Sequence, residues 1–118
     1  ISILDNKALP AVEIKPKNIL YDYECKYKKG NSDYIVPADL NKTILEQLDQ
    51  ISLKIFNLLG CRHYGRADYR LSLDNQIYFL ELNTLPGFTE TSLFPKAAAA
   101  ADICYDDLII TIVKQLKK

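Results

Sequence analysis

The sequence predicts an α+β domain, and three observations carry that expectation. Two runs, Gly65 to Leu71 and Gln76 to Asn83, flank a polar bend and read as an antiparallel hairpin at the centre of the chain. Residues 42–59 place Ile44, Leu48, Ile51, Ile55 and Leu58 at helical spacing. Strands and helices follow in mixed order, without the alternation that builds a parallel sheet.

The elements are justified in turn. Ile1 to Leu4 and Ala8 to Ile14 resemble two strands joined by the polar turn Asp5-Asn6-Lys7, and Pro16 ends the second. Residues 17–39 are polar, tyrosine-rich and irregular, and a loop of that length suits a lid. Asp39 or Asn41 can cap the helix over 42–59, and Gly60 suits its stop. After the hairpin comes the turn-rich stretch Thr84 to Thr91. Ser92 begins a short helix through the alanines at 97–101. A last helix over 105–116 buries Leu108, Ile109, Ile112, Val113 and Leu116.

A chain of 118 residues, 48% of them apolar, is enough for one modest domain. Fifteen basic side chains balance fifteen acidic ones, which argues against nucleic acid or an anionic membrane as partner. No apolar run approaches a membrane span, and no signal-peptide pattern opens the chain. Cys25, Cys61 and Cys104 are odd in number and far apart, and read as reduced thiols of a cytosolic protein. The absence of methionine, with an opening that reads as the middle of a strand, predicts the C-terminal piece of a longer protein.

The bend between the two central runs sets their register. Taking Asp74-Asn75 as a two-residue turn, residues whose numbers sum to 149 face each other. Arg66 then lies opposite Asn83, Asp68 opposite Glu81, Ala67 opposite Leu82, Tyr69 opposite Leu80 and Leu71 opposite Tyr78. Arg66, Asp68, Glu81 and Asn83 share one face. Opposed carboxylates repel, so a hard divalent cation with oxygen ligands is one candidate for the space between them. A solvated polar face neutralised by Arg66 and Arg70 is the other reading.

Further residues have two readings each. Arg66 can stabilise charge on a transferring phosphoryl group or oxyanion, or simply pair with Asp68 or Glu81. Pro86-Gly87 allows close backbone approach and offers an N–H donor, or is only a turn. Ser92 opens a helix whose N-terminus suits a carboxylate, or is an ordinary cap. Lys26 and Tyr27 sit where a lid would close, or are solvated. His63, the only histidine, has no partner at triad spacing, and no Walker-type loop is present.

Taken together, the runs from Gly65 to Asp68 and from Leu80 to Leu93 closely resemble the C-terminal signature of D-alanine–D-alanine ligases. Tyr21 to Tyr27, and on to Val36-Pro37-Ala38, resembles that family's ω-loop. The resemblance covers nearly all of residues 1–118. It implies the C-terminal catalytic portion of an ATP-grasp enzyme, with the ω-like loop at about 17–39. It also implies ligation of two D-alanines through an acyl phosphate, for peptidoglycan precursors, in the cytoplasm. Asp68, Glu81 and Asn83 would bind two Mg²⁺ or Mn²⁺ ions, Glu81 bridging them at the nucleotide. Arg66 and the Gly87 N–H would stabilise the phosphoryl group and oxyanion. Lys26 would meet the γ-phosphate of ATP, and Tyr27 would fasten the loop over the second substrate. Ser92 and the Leu93 N–H would receive the second D-alanine's carboxylate. Tyr69-Arg70, His63 and Cys25 depart from the family pattern. The family's N-terminal and central domains are not in these residues, so the 118 residues alone are expected to be inactive. Full-length members commonly dimerise, mostly through those other parts. The competing readings are another ATP-grasp carboxylate–amine ligase and a non-catalytic metal- or nucleotide-binding remnant.

Overall fold

The structure is a computed structural model that describes residues 1–16 and 32–117. Six strands are described: β1 Ser2–Leu4, β2 Lys7–Ala8, β3 Glu13–Pro16, β4 Ser32–Ile35, β5 Tyr64–Leu71 and β6 Ile77–Asn83. Three helices are α1 Lys42–Leu58, α2 Leu93–Ala100 and α3 Tyr105–Leu116. One antiparallel sheet has the order β2-β1-β5-β6, and β3 pairs with β4 in a second. The expected α+β class holds.

The β1–β2 hairpin turns through Asp5 and Asn6, at φ 50° and 59°, values that short polar side chains tolerate. The second run splits, however. Lys7–Ala8 pairs with β1, whereas Glu13–Pro16 leaves for the other sheet, and Pro10 between them lacks an N–H for a continuous ladder. Within the stretch 17–39 expected to be irregular, Ser32–Ile35 is instead a strand paired with β3. Residues 17–31 lie outside the described residues.

The main sheet carries helices on both faces. Consecutive residues Tyr64 and Gly65 point opposite ways. A Cβ on Gly65 would meet the Phe56 ring of α1 at 3.1 Å, so glycine permits this approach. Tyr64 packs edge-on against Phe94 of α2, with ring centroids 6.4 Å apart. That second face builds the larger core, from Leu4, Leu9, Phe94, Ala97, Ala98, Leu108 and Ile112. The alanine run matters here, since small side chains let α2 sit close to its neighbours.

Helix α1 starts at Asn41, whose Oδ1 accepts the Ile44 N–H at 2.9 Å. It ends in a Schellman arrangement: Cys61 N–H donates to Phe56 O, Gly60 N–H donates to Asn57 O, and Gly60 sits at φ 70°. Of the expected stripe, Ile44 and Leu48 are buried and Ile51 and Ile55 half-buried, but Leu58 is exposed, and Ser52 and Phe56 complete the buried side. Burial of Ser52 is possible because its hydroxyl bonds to Tyr69 OH at 2.8 Å. In α3, Leu108, Ile112 and Gln115 are buried, whereas Val113 and Leu116 are exposed, correcting the expected stripe.

Candidate active site

The β5–β6 hairpin places Asp68 opposite Glu81 and Arg66 opposite Asn83, as expected, but by a different route. The tip is a three-residue loop rather than a two-residue turn. Asn75 N–H donates to Ser72 O, Ser72 N–H to Gln76 O, and Asn75 takes the left-handed φ of 63°. This loop pairs Leu71 with Ile77, Arg70 with Tyr78 and Tyr69 with Phe79, correcting the expected Leu71–Tyr78 and Tyr69–Leu80 pairs. An irregularity between Asp68 and Tyr69 then leaves Leu80 as an extra residue on β6. It shifts the register by one. Without it, Glu81 would face Ala67 on the α1 side; with it, Glu81 returns to the face of Asp68. Two departures from the simple hairpin thus cancel at the acid pair.

Three rungs occupy this face in order: Arg66 with Asn83, Asp68 with Glu81, and Arg70 with Tyr78. Arg66 grips Asp68 with two hydrogen bonds, Nε to Oδ1 at 2.7 Å and an Nη to Oδ2 at 2.9 Å. The planar fork matches the carboxylate, and both side chains are mostly shielded, at 13% and 24% exposure. The arginine–carboxylate pairing held open from the sequence is therefore present. It leaves lone pairs on both Asp68 oxygens, so it does not preclude a second positive partner. Next to this rung, burial foremost pushes the Tyr69 phenol above its usual range, and the nearby Asp68 charge adds to that, so Tyr69 remains a neutral hydrogen-bonding group.

Asn83 Oδ1 accepts the Leu85 N–H at 2.9 Å, which turns the chain out of β6. The loop then folds back over Tyr64. Phe88 packs against both Tyr64 and Phe94, each at 5.4 Å between ring centroids, fastening the loop to the sheet. This brings Gly87 to Ser92. A Cβ at Gly87 would lie 3.1 Å from Ser92 Oγ, a tight approach that glycine accommodates without displacing the hydroxyl.

Ser92 does begin α2, yet its hydroxyl makes no cap to the helix. It turns back to Thr89, accepting the Thr89 N–H at 3.1 Å and sharing a 2.6 Å bond with Thr89 Oγ1. Pro95, in the first turn, has no N–H, so the helix presents the N–H groups of Leu93 and Phe94 as its terminal donors. Thr89 was not singled out from the sequence as a positioning residue; its spacing of three before Ser92 is the signal that marks it. Lys96 of α2 donates to Thr91 O at 2.7 Å and lies 4.9 Å over the Tyr34 ring, which ties β4 to this end of the site.

The structure therefore brings Arg66, Asp68, Glu81 and Asn83 onto one face, and Gly87, Ser92 and Leu93 into one loop–helix junction beside it. Lys26 and Tyr27 lie outside the described residues, as does Cys25. No group of three or more His, Cys, Asp or Glu side chains is clustered for a metal among the described residues. The donor set on offer is instead two carboxylates and an amide oxygen, which is hard-cation chemistry. Among the described residues, no helix is long and apolar enough to cross a membrane.

Comparison with known proteins agrees with this architecture. The family model for the D-ala D-ala ligase C-terminus matches residues 1–114. A D-alanine–D-alanine ligase of Methylacidiphilum infernorum is 48% identical over 114 residues, covering 97% of this chain and 38% of that protein. One from Fervidobacterium nodosum is 44% identical, over 91% of this chain and 34% of that protein. The crystal structure of the Bacillus anthracis D-alanine–D-alanine ligase complexed with ATP superposes with a TM-score of 0.79 at 35% identity, over 97% of this chain and 37% of that one. The chain thus spans less than two-fifths of the length of these relatives and has the ATP-grasp C-terminal fold. It belongs to the D-alanine–D-alanine ligase C-terminal family.

Proposed function

We propose that this chain is the metal- and phosphate-handling part of an enzyme that joins two D-alanines at the expense of ATP, supplying a peptidoglycan precursor in the cytosol. The observation that carries the reading is the Leu80 irregularity. It sets the exposed Glu81 opposite an Asp68 that Arg66 already holds, so the rung carries two carboxylates against one guanidinium and favours a further positive partner.

Asp68, Glu81 and the remaining lone pair of Asn83 would hold Mg²⁺ or Mn²⁺, and two ions are consistent with this donor set. Such ions would offset negative charge on the triphosphate. Arg66 is held in place by Asp68, so its guanidinium is oriented before the γ-phosphate arrives. It stabilises the phosphoryl group as this passes to the carboxylate of the first D-alanine. The Gly87 N–H then takes charge on the oxyanion that forms when the second D-alanine's amine attacks the acyl phosphate. The Leu93 N–H and Ser92, at the positive end of α2, receive the second substrate's carboxylate and fix the direction of attack. Lys26 would close on the γ-phosphate and Tyr27 on the second substrate, excluding water from an intermediate it would hydrolyse.

The relatives are more than twice as long as this chain, so the rest of a nucleotide cleft would come from segments they have in addition, and the 118 residues alone should not turn over. Phosphate release from the complete protein, dependent on both ATP and D-alanine, tests the reading. Turnover with D-lactate in preference to D-alanine as acceptor, or none with either, would count against it.

A further inference from the structure

The outer rung of the acid face holds a charge that the proposed chemistry does not use. Arg70 lies two residues beyond Asp68 on the same face of β5, opposite the exposed Tyr78, and is itself exposed. Arg66 is engaged with Asp68, whereas no carboxylate pairs with Arg70 among the described residues. The strand pair's face therefore carries two guanidinium and two carboxylate groups and no net charge. A neutral face with an unneutralised cation at one end attracts a bare divalent cation weakly. A cation wrapped in a nucleoside triphosphate is a net anion, and the same guanidinium attracts it.

We propose that Arg70 sets the order in which the acid rung fills: it disfavours a free divalent cation and favours one that arrives already bound to the nucleotide. Gly87 and Ser92 lie beyond the Arg66–Asn83 rung, so in the proposed reaction the transferring phosphate would sit at that end of the face and the rest of the nucleotide would extend towards Arg70. The inference rests on the reading that Asp68 and Glu81 hold the cation.

The test uses the complete protein and three variants, Arg70→Gln, Arg70→Lys and Asp68→Asn. Free Mn²⁺ is counted by electron paramagnetic resonance during titration with MnCl₂ alone, and binding of Mn²⁺ with a non-hydrolysable ATP analogue is measured by calorimetry. Two residues along a strand separate the charges by about 7 Å, so removing Arg70 should tighten bare Mn²⁺ about fivefold at low salt and about twofold at physiological salt. The Mn²⁺–nucleotide complex should weaken by a similar factor, and Arg70→Lys should track the wild type in both. Opposite shifts of this kind distinguish a charge effect from a structural one. Shifts of Arg70→Gln in the same direction, no shift at low salt, or equivalence of the Lys and Gln variants would overturn the proposal. Loss of Mn²⁺ in Asp68→Asn beside an inert Arg70→Gln would sink this proposal alone; full Mn²⁺ binding by Asp68→Asn would overturn both it and the metal assignment.

Discussion

A methyl group at position 87 would stand 3.1 Å from Ser92 Oγ, inside the 3.4 Å at which ordinary contact begins. Ser92 cannot simply swing away, because Thr89 holds its hydroxyl through the N–H at 3.1 Å and the side chain at 2.6 Å. In Gly87→Ala, either the loop backbone retreats or the Thr89–Ser92 pair shifts, by a few tenths of an ångström in each case. Both movements separate the Gly87 N–H from the Ser92–Leu93 junction proposed to receive the second substrate's carboxylate. A hydrogen bond to a charged group contributes about 1.5–3 kcal/mol, and a displacement of this size forfeits about 1 kcal/mol of it. The expected loss is about fivefold in kcat/KM for the second D-alanine. Initial rates of ADP release by the complete protein, with acceptor and nucleotide varied separately, read the effect. The nucleotide KM should hold, since the proposed role of Gly87 is on the acceptor side. Unchanged acceptor kinetics, or a loss expressed mainly in the nucleotide KM, would refute the coupling between Gly87 and Ser92.

The remaining predictions concern the frame and its charges. Tyr69→Phe leaves the fully buried Ser52 hydroxyl without a partner and should cost about 1–3 kcal/mol, whereas adding Ser52→Ala recovers most of it; hydrogen-exchange protection of α1 and β5 in the complete protein measures both. Asn41→Ala removes the α1 cap and should cost about 1 kcal/mol, seen as faster exchange in the first turn of α1. Burial raises the Asp49 carboxyl above its ordinary value of 3.8 in the folded chain, so its ionisation costs stability above the folded pKa and nothing well below the unfolded one. Asp49→Asn should therefore stabilise the protein at neutral pH, with the gain disappearing as pH falls through the carboxylate range. A gain that persists at pH 3 would contradict that sign.

Local chemistry made much of this fold legible. Asn41, Gly60, Ser92 and the Asp5-Asn6 turn each announce an element boundary through a property of one or two side chains. Side-chain burial was harder to foresee. Ser52 is buried because Tyr69 supplies its hydrogen bond across a strand, and nothing in the α1 sequence reveals that partner. Leu58, Val113 and Leu116 fit a helical stripe and yet are exposed, because periodicity marks a face without saying what covers it. The acid pair was foreseen correctly from a turn that does not form, since the extra residue of the Ser72–Gln76 loop is offset by Leu80. Spacing alone cannot reveal an offset of this kind, because each irregularity is set by backbone hydrogen bonding. Thr89 stands three before Ser92, but that spacing acquires meaning only once the Ser92 hydroxyl turns back from its own helix to the loop.

Crystals of the complete protein grown with Mn²⁺ and a non-hydrolysable ATP analogue allow anomalous diffraction to locate the ions directly. The account requires an anomalous peak at coordination distance, about 2.1 Å, from carboxylate oxygens of both Asp68 and Glu81. A map with the nucleotide bound, those two carboxylates turned apart and the manganese elsewhere would contradict it.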